Sequence, residues 1–204
     1  MNAIEEVVLE GAKVRLEPLS ASHLPALAEA IRDGRLWEVP FTFVPHPSEL
    51  PSFLADAEAA REAGNEAAFA TIDKTSGRVA GSTRFMGIDL KHKKLEIGFT
   101  FLAASQQRTA LNTEAKYLML RHAFERWQLE RVQLITDVLN SKSRSAIVRI
   151  GGQQEGILRR HMVMRDGRVR DSVCFSIIAS EWPDAKRSLQ AKLASRAAAT
   201  AAKS

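Results

Sequence analysis

Leu95-Glu96-Ile97-Gly98-Phe99-Thr100-Phe101-Leu102-Ala103-Ala104-Ser105-Gln106-Gln107-Arg108-Thr109-Ala110-Leu111-Asn112-Thr113-Glu114-Ala115 decides how this chain reads. Its first eight residues are mostly apolar and aromatic, free of proline, and read as a strand spanning Lys94–Leu102. A helix follows over Asn112–Trp127. Glu114, Arg121, Glu125 and Gln128 fall on one stripe of it, and Ala115, Tyr117, Leu118, Met119, Leu120, Ala123, Phe124 and Trp127 fill most of the rest. So narrow a polar stripe predicts a helix packed over most of its circumference, with Tyr117 in the core. A helix N-terminus presents unpaired N–H groups and a partial positive charge, which suit a phosphate. The junction Ala104–Thr113 adds small residues, side-chain donors, Arg108, and Asn112 or Thr113 as caps. From the residues alone it is either an anion site or an ordinary strand-to-helix turn.

Upstream, Val14 and Leu16 alternate with Lys13, Arg15 and Glu17 in a strand over Ala12–Pro18. Ser20 caps a helix with Leu24, Leu27, Ala28 and Ile31 at helical spacing, closed at Gly34. Trp37–Pro47 is an aromatic- and proline-rich loop, whose Trp37, Phe41 and Phe43 either pack beneath it or line a pocket. A second helix runs from Ser48 to about Ala63. Strands over Ala67–Asp73 and Arg78–Met86 flank the turn Lys74-Thr75-Ser76-Gly77. Downstream come a strand at Arg131–Asp137, a short helix at Ser141–Ile150, and strands at Gln153–Met164 and Arg168–Ile178 around the hairpin signal Asp166-Gly167. The order β-α-α-β-β-β-α-β-α-β-β predicts an α/β (α+β) fold, one mixed sheet of about seven strands flanked by helices. The domain spans residues 9–183, followed by a helical tail, 184–204, that frays at its Ala-rich end.

The 204 residues, 45% apolar and 26% charged, are those of an ordinary globular domain that needs no staples for its core. Cys174, the single cysteine, forms no internal disulfide and reads as a buried strand residue. No stretch reaches the ~20 apolar residues of a membrane span, and Met1–Glu6 lacks a signal-peptide pattern, so a cytoplasmic protein without membrane contact is expected. His23, His46, His92, His122 and His161 show no metal-like pairing, and no metal is expected. The formal charge is +5, and the excess concentrates between Val138 and Arg170, where eight Lys/Arg face two acids. Such a run is either a field for an anionic partner or a solvated face. His161, beside Arg159-Arg160, reads as a surface or acceptor-side residue.

Here the order of motifs resembles the GNAT acetyltransferase superfamily. Leu95–Leu102 followed by the loop and Asn112-Thr113-Glu114-Ala115 looks like its central motif. Asn140-Ser141-Lys142-Ser143, then Ile150-Gly151-Gly152 and Glu155-Gly156, resembles its later block. Val14-Arg15-Leu16-Glu17-Pro18-Leu19 and Arg159-Arg160-His161 … Asp166-Gly167-Arg168 … Asp171-Ser172-Val173 are similar to its ribosomal-protein-acetylating branch, the RimJ/RimL type. The resemblance covers roughly Leu9 to Pro183 and implies the GNAT acyltransferase fold, its sheet mostly antiparallel. It implies an enzyme, an N-acetyltransferase taking acetyl-CoA as co-substrate and a primary amine, a protein N-terminus or a small amine, as acceptor. The family's phosphate loop carries two glycines where this chain has Ala110 and Asn112, which tests whether a pyrophosphate still fits.

By this resemblance the backbone of Phe99, Thr100, Phe101 and Leu102 takes the pantetheine arm. The loop Gln107, Arg108, Thr109, Ala110, Leu111, Asn112 and Thr113 takes the pyrophosphate. Glu96 matches a carboxylate acting as general base through water; the competing reading is a strand-face ion pair. Asn140 matches an asparagine beside the pantetheine and Ser143 a serine at the cofactor or the leaving thiolate, with Ser141 as a competing choice or helix cap. Two other readings stay open on the same fold: a non-catalytic acyl-CoA-binding module, and an RNA- or ribosome-binding module using the basic run. Apolar residues near Phe41 and Phe43 permit a homodimer.

Overall fold

The computed structural model describes residues 5–201; Met1–Ile4 and the last three residues of the expected tail lie outside the described residues. The strands are β1 (Leu9–Glu10), β2 (Val14–Pro18), β3 (Ala67–Asp73), β4 (Arg78–Asp89), β5 (Lys94–Leu102), β6 (Arg131–Asp137), β7 (Gln153–Val163) and β8 (Val169–Ile178). The helices are α1 (Leu24–Arg32), α2 (Leu50–Glu62), α3 (Leu111–Arg121), α4 (Ser141–Arg149) and α5 (Trp182–Ala201). The sheet has eight strands in the order β1-β2-β3-β4-β5-β6-β8-β7, the eighth being the two-residue β1, which pairs Leu9 with Leu16. Among these strands β5 and β6 form the parallel pair and every other neighbour is antiparallel.

Strand alternation sends side chains to both faces, and helices cover each. On one face Leu27 and Ile31 of α1, Phe53 and Leu54 of α2, Val44 of the proline-rich loop, and Ala68, Ala70 and Phe101 of the sheet form one core. On the other face Val14, Leu16, Phe69, Phe85, Leu95 and Ile97 pack against Leu118, Met119, Leu120 and Ala123. Leu16, Leu27, Leu118 and Leu120, each at 2% exposure or less, contribute about 2 kcal/mol apiece.

Helix α3 is enclosed as its composition predicts, and two details differ. Its last turn is a π-turn over His122–Arg126, after which Trp127 closes on the rings of His122 and Phe85, with centroids 4.6 and 5.1 Å away. Glu114, expected on the polar stripe, is buried, because its carboxylate accepts the backbone N–H groups of Ala12, Lys13 and Val14 at 3.0, 2.7 and 2.7 Å. Tyr117 is half-buried, its ring 6.3 Å from Trp182 and its hydroxyl accepting from Gln190 Nε2 at 3.2 Å. Helix α5 carries Trp182, Ala185 and Leu189 into the same core, so the packed unit extends past Pro183.

Candidate functional site

The site begins where two neighbouring strands part. Strand β5 pairs with β6 at Lys94–Arg131, Leu95–Val132 and Glu96–Gln133 and no further. From Ile97 onward the edge of β5 that faces β6 has no strand partner, and the same holds for β6 beyond Gln133. A bulge accompanies the divergence. Ser82 faces Phe101 and Arg84 faces Gly98, so Thr83 alone stands opposite Phe99 and Thr100. Phe99 takes φ 45°, a left-handed conformation costly for any residue but glycine. The strain is braced: the Arg84 guanidinium lies 4.9 Å from the Phe99 ring and 4.3 Å from that of Phe53, and Arg84 pairs with Glu66 at 3.0 Å. Arg84 was not legible in the sequence, since nothing marks a strand arginine as buried. Phe101 and Leu102 are buried, one in each core, whereas Phe99 and Thr100 are exposed.

The open edge leads to the start of α3. Ser105 anchors the intervening loop by donating its amide (3.1 Å) and hydroxyl (2.5 Å) to Asp33. Gln107 turns its amide back on the Leu102 carbonyl at 3.1 Å, and Arg196 of α5 donates to the Arg108 carbonyl at 3.1 Å. The expected caps are corrected: the N-cap is Ala110, and the Thr109 hydroxyl accepts the Leu111 amide at 3.2 Å, leaving Asn112 and Thr113 inside the first turn. Leu111 and Thr113 are buried. Ala110 has φ −74°, an ordinary value that needs no glycine, and the left-handed residue of the loop is Arg108, at φ 64°. Asn112 Oδ1 is buried without a hydrogen-bond partner among the described residues.

Glu96 sits at the apex of the split, in the last paired position. Burial pushes its carboxyl pKa up; Gln133 Nε2, at 3.4 Å, and the charge of Arg170 act the other way. Across the opening Asn140 caps α4, its Oδ1 accepting the Ser143 amide at 3.0 Å; Ser143 is half-buried, and Ser141, the competing cap, is the first helical residue. Cys174 corrects its expectation of burial: it is half-buried, on the face of β8 opposite Val173 and Phe175, and burial raises its pKa, helped by Glu96 and Glu155. His161 donates to or accepts from the Ser172 hydroxyl at 3.0 Å.

Part of the basic run turns inward, at Arg144, Arg168 and Arg170, while Lys142, Arg149, Arg159, Arg160 and Arg165 are exposed. Arg168 bonds Asp137 Oδ2 (2.5 Å), a fully buried carboxylate, and the Pro40 carbonyl (3.1 Å). Arg165 bonds the Val44 carbonyl at 3.0 Å and pairs with Glu49 at 3.3 Å. Arg170 is buried between the charges of Asp137 and Glu96. The β7–β8 hairpin is thereby fastened to the Trp37–Pro47 loop, whose Trp37 and Val44 pack into the α1–α2 core while Phe41 and Phe43 are half-buried. Sequence reasoning had the charges but not their direction.

A sheet split at a bulged strand, with the first turn of a packed helix at the wide end and a half-buried carboxylate at the apex, defines an acyltransferase of the GNAT type. Residues 13–153 match the Acetyltransferase (GNAT) domain model, and the chain belongs to that family. It is similar to the RimJ/RimL-like branch. A Bacillus subtilis (strain 168) protein that carries the name of a ribosomal N-acetyltransferase, YdaF, is 31% identical over 110 residues, 54% of this chain and 59% of that protein's length. The crystal structure of a GCN5-related N-acetyltransferase from Brucella melitensis is 35% identical, with TM-score 0.82 over 94% of this chain and 87% of that one. Mycobacterium smegmatis RimJ, solved in complex with CoA-disulfide, shares the fold at 24% identity, with TM-score 0.76 over 92% of each chain. Among the described residues no helix is long and apolar enough to cross a membrane.

Proposed function

We propose that this acetyltransferase moves the acetyl group of acetyl-CoA to a primary amine, the α-amine of a protein N-terminus in the first place, by direct attack. The observation that carries the reading is the edge of β5 at Phe99–Leu102, left without a strand partner, leading into the start of α3, where the N-cap Ala110 has no side-chain acceptor and Thr109 takes the Leu111 amide. Phe99, Thr100, Phe101 and Leu102 hold the pantetheine as an added strand would be held. The amides of Arg108–Thr113 and the Arg108 side chain hold the pyrophosphate. Ala110 in place of glycine is compatible with this, because its φ of −74° demands none.

Acetyl-CoA supplies an activated acyl thioester; the residues around it supply alignment and proton transfer. Glu96 takes the proton from the incoming ammonium through a water, and its raised pKa suits that task near neutral pH. The amine nitrogen then bonds to the acyl carbon, the C–S bond breaks, and the proton that the nitrogen still has to lose passes to the departing thiolate, relayed by the Ser143 hydroxyl beside Asn140, leaving the amide and the CoA thiol. The Trp37–Pro47 loop, held by Arg165 and Arg168, lines the acceptor side. The similarity to ribosomal-protein acetyltransferases supports a protein acceptor in the cytoplasm.

Acetyl-CoA turnover against a panel of amines and N-terminal peptides, with calorimetry on acetyl-CoA alone, tests the proposal. Turnover with a peptide α-amine is expected. Binding without turnover points to an acyl-CoA-binding module, and the absence of both overturns the reading.

A further inference from the structure

Lys116 has no role in the chemistry so far, and its position is unusual. It stands on α3 at 4% exposure, where the neighbours Ala115, Leu118, Met119 and Leu120 make the core. Its Nζ lies 2.6 Å from Thr100 Oγ1 and 3.0 Å from Thr83 Oγ1, and those two hydroxyls are 2.8 Å apart. The three atoms close a triangle across the bulge, since Thr83 is the β4 residue that faces both Phe99 and Thr100. No carboxylate pairs with Lys116 among the described ion pairs, and burial alone lowers its pKa, to about 7. A buried amine is expensive where a leucine or methionine would pack at no such cost. Thr100 itself is exposed, on the open edge of β5, so the triangle joins the helix interior to the cleft.

We propose that Lys116 is a positioning residue for acetyl transfer: bonded to Thr83 and Thr100, it fixes the bulge of β5 and so aims the strand-edge backbone of Phe99–Phe101 at the thioester carbonyl. The inference rests on the reading of the cleft as the acetyl-CoA site. As the amine nitrogen attacks, negative charge gathers on the carbonyl oxygen, and when the C–S bond breaks the electron pair leaves on sulfur. An ammonium one hydroxyl away from this point favours both charges. Above its pKa the amine is neutral and that contribution disappears. The groups facing Lys116 are the Thr83 hydroxyl of β4, the Thr100 hydroxyl of β5 and, sharing the Thr83 hydroxyl at 3.7 Å, the Met119 sulfur of its own helix. The other buried charged side chains of β4 and α3 are engaged elsewhere, Arg84 with Glu66 and Glu114 with the amides of residues 12–14.

The test compares the full-length wild type with Lys116→Met, which fills the same apolar space, following kcat and the KM for acetyl-CoA from about pH 5.5 to 9.5. The variant is expected to lose roughly 10- to 100-fold in kcat with KM for acetyl-CoA changed less than about twofold. A falling limb of the wild-type kcat profile near pH 7 is expected to vanish with the lysine. The variant's Tm should equal or exceed that of the wild type. A purely packing role would lower Tm, raise KM and leave the limb in place, and that result overturns the proposal. Should Lys116→Met fail to fold, Thr100→Val keeps the lysine and cuts its link to the cleft: the same loss of the limb is expected, and an unchanged profile overturns the proposal. A wild-type protein that neither binds nor turns over acetyl-CoA overturns the underlying reading, and this is seen before any variant is made.

Discussion

At the scale of single residues, two glutamates of similar sequence context have opposite fates. Glu96, on a strand, keeps a half-buried carboxyl at the apex of the split sheet; Glu114, on a helix, spends its carboxylate on three backbone amides. Glu96→Gln keeps the size and the hydrogen bond with Gln133 and removes the proposed base. We expect kcat to fall about 100-fold, with calorimetric binding of acetyl-CoA unchanged. Because burial raises the pKa, the carboxyl ionises only above its ordinary value of 4.5, and wild-type kcat/KM should climb with pH through that raised value. The climb should be absent in the Gln variant. Glu114→Ala orphans three N–H donors at the entry to β2, costing roughly 3 kcal/mol or more, read as a lowered midpoint in chemical denaturation. Neither outcome follows from residue type; each follows from what faces the carboxylate.

At the scale of elements, the bulge of β5 and the turn into α3 make the proposed site. β4 must lie close to β5 for the bulge to form, and Gly81 permits it. A Cβ at Gly81 would meet the Phe101 carbonyl oxygen at 2.0 Å and Leu102 Cα at 2.9 Å, both backbone. Gly81→Ala is therefore expected to push β4 from β5, lowering stability by about 2 kcal/mol and weakening acetyl-CoA affinity at least tenfold, which thermal melts and calorimetry measure together. The limits of most strands and helices were nearly legible, because hydrophobic periodicity and Gly/Asp turn chemistry are local signals, but the two-residue β1 carries no such signal. The helix cap was not. Asn112 and Thr113 are good cap types, yet the chain enters the helix at Ala110, because Leu111 must reach the core at 4% exposure. Of the two positions where the family's loop has glycine, neither is left-handed here; the left-handed position of the loop belongs to Arg108.

At the scale of the whole molecule, residues more than a hundred positions apart build one wall. Arg165 and Arg168 of the β7–β8 hairpin hold the carbonyls of Val44 and Pro40. Arg165→Ala should loosen the loop at Val44, leaving Pro40 and the buried Asp137 held by Arg168. We expect KM for the amine acceptor to rise several-fold, KM for acetyl-CoA to stay within about twofold, and Tm to drop only slightly, because the ion pair with Glu49 is half exposed. The basic run, read as an anionic-partner field or a solvated face, keeps Lys142, Arg149, Arg159 and Arg160 at the surface, while Arg165 and Arg168 strap the loop through its carbonyls.

By itself the sequence determined the order of elements, the single sheet, the strand-to-helix junction at Gln107–Thr113 and the position of Glu96, because periodicity, turn residues and motif order are written along the chain. The tertiary structure alone decided where β5 leaves β6, which way the arginines point, that Glu114 and Lys116 are buried, and that Phe99 is held left-handed by Arg84 and Phe53. The physical reason is that a charged side chain shows its type in sequence, while its desolvation and its partners depend on elements brought together from distant parts of the chain.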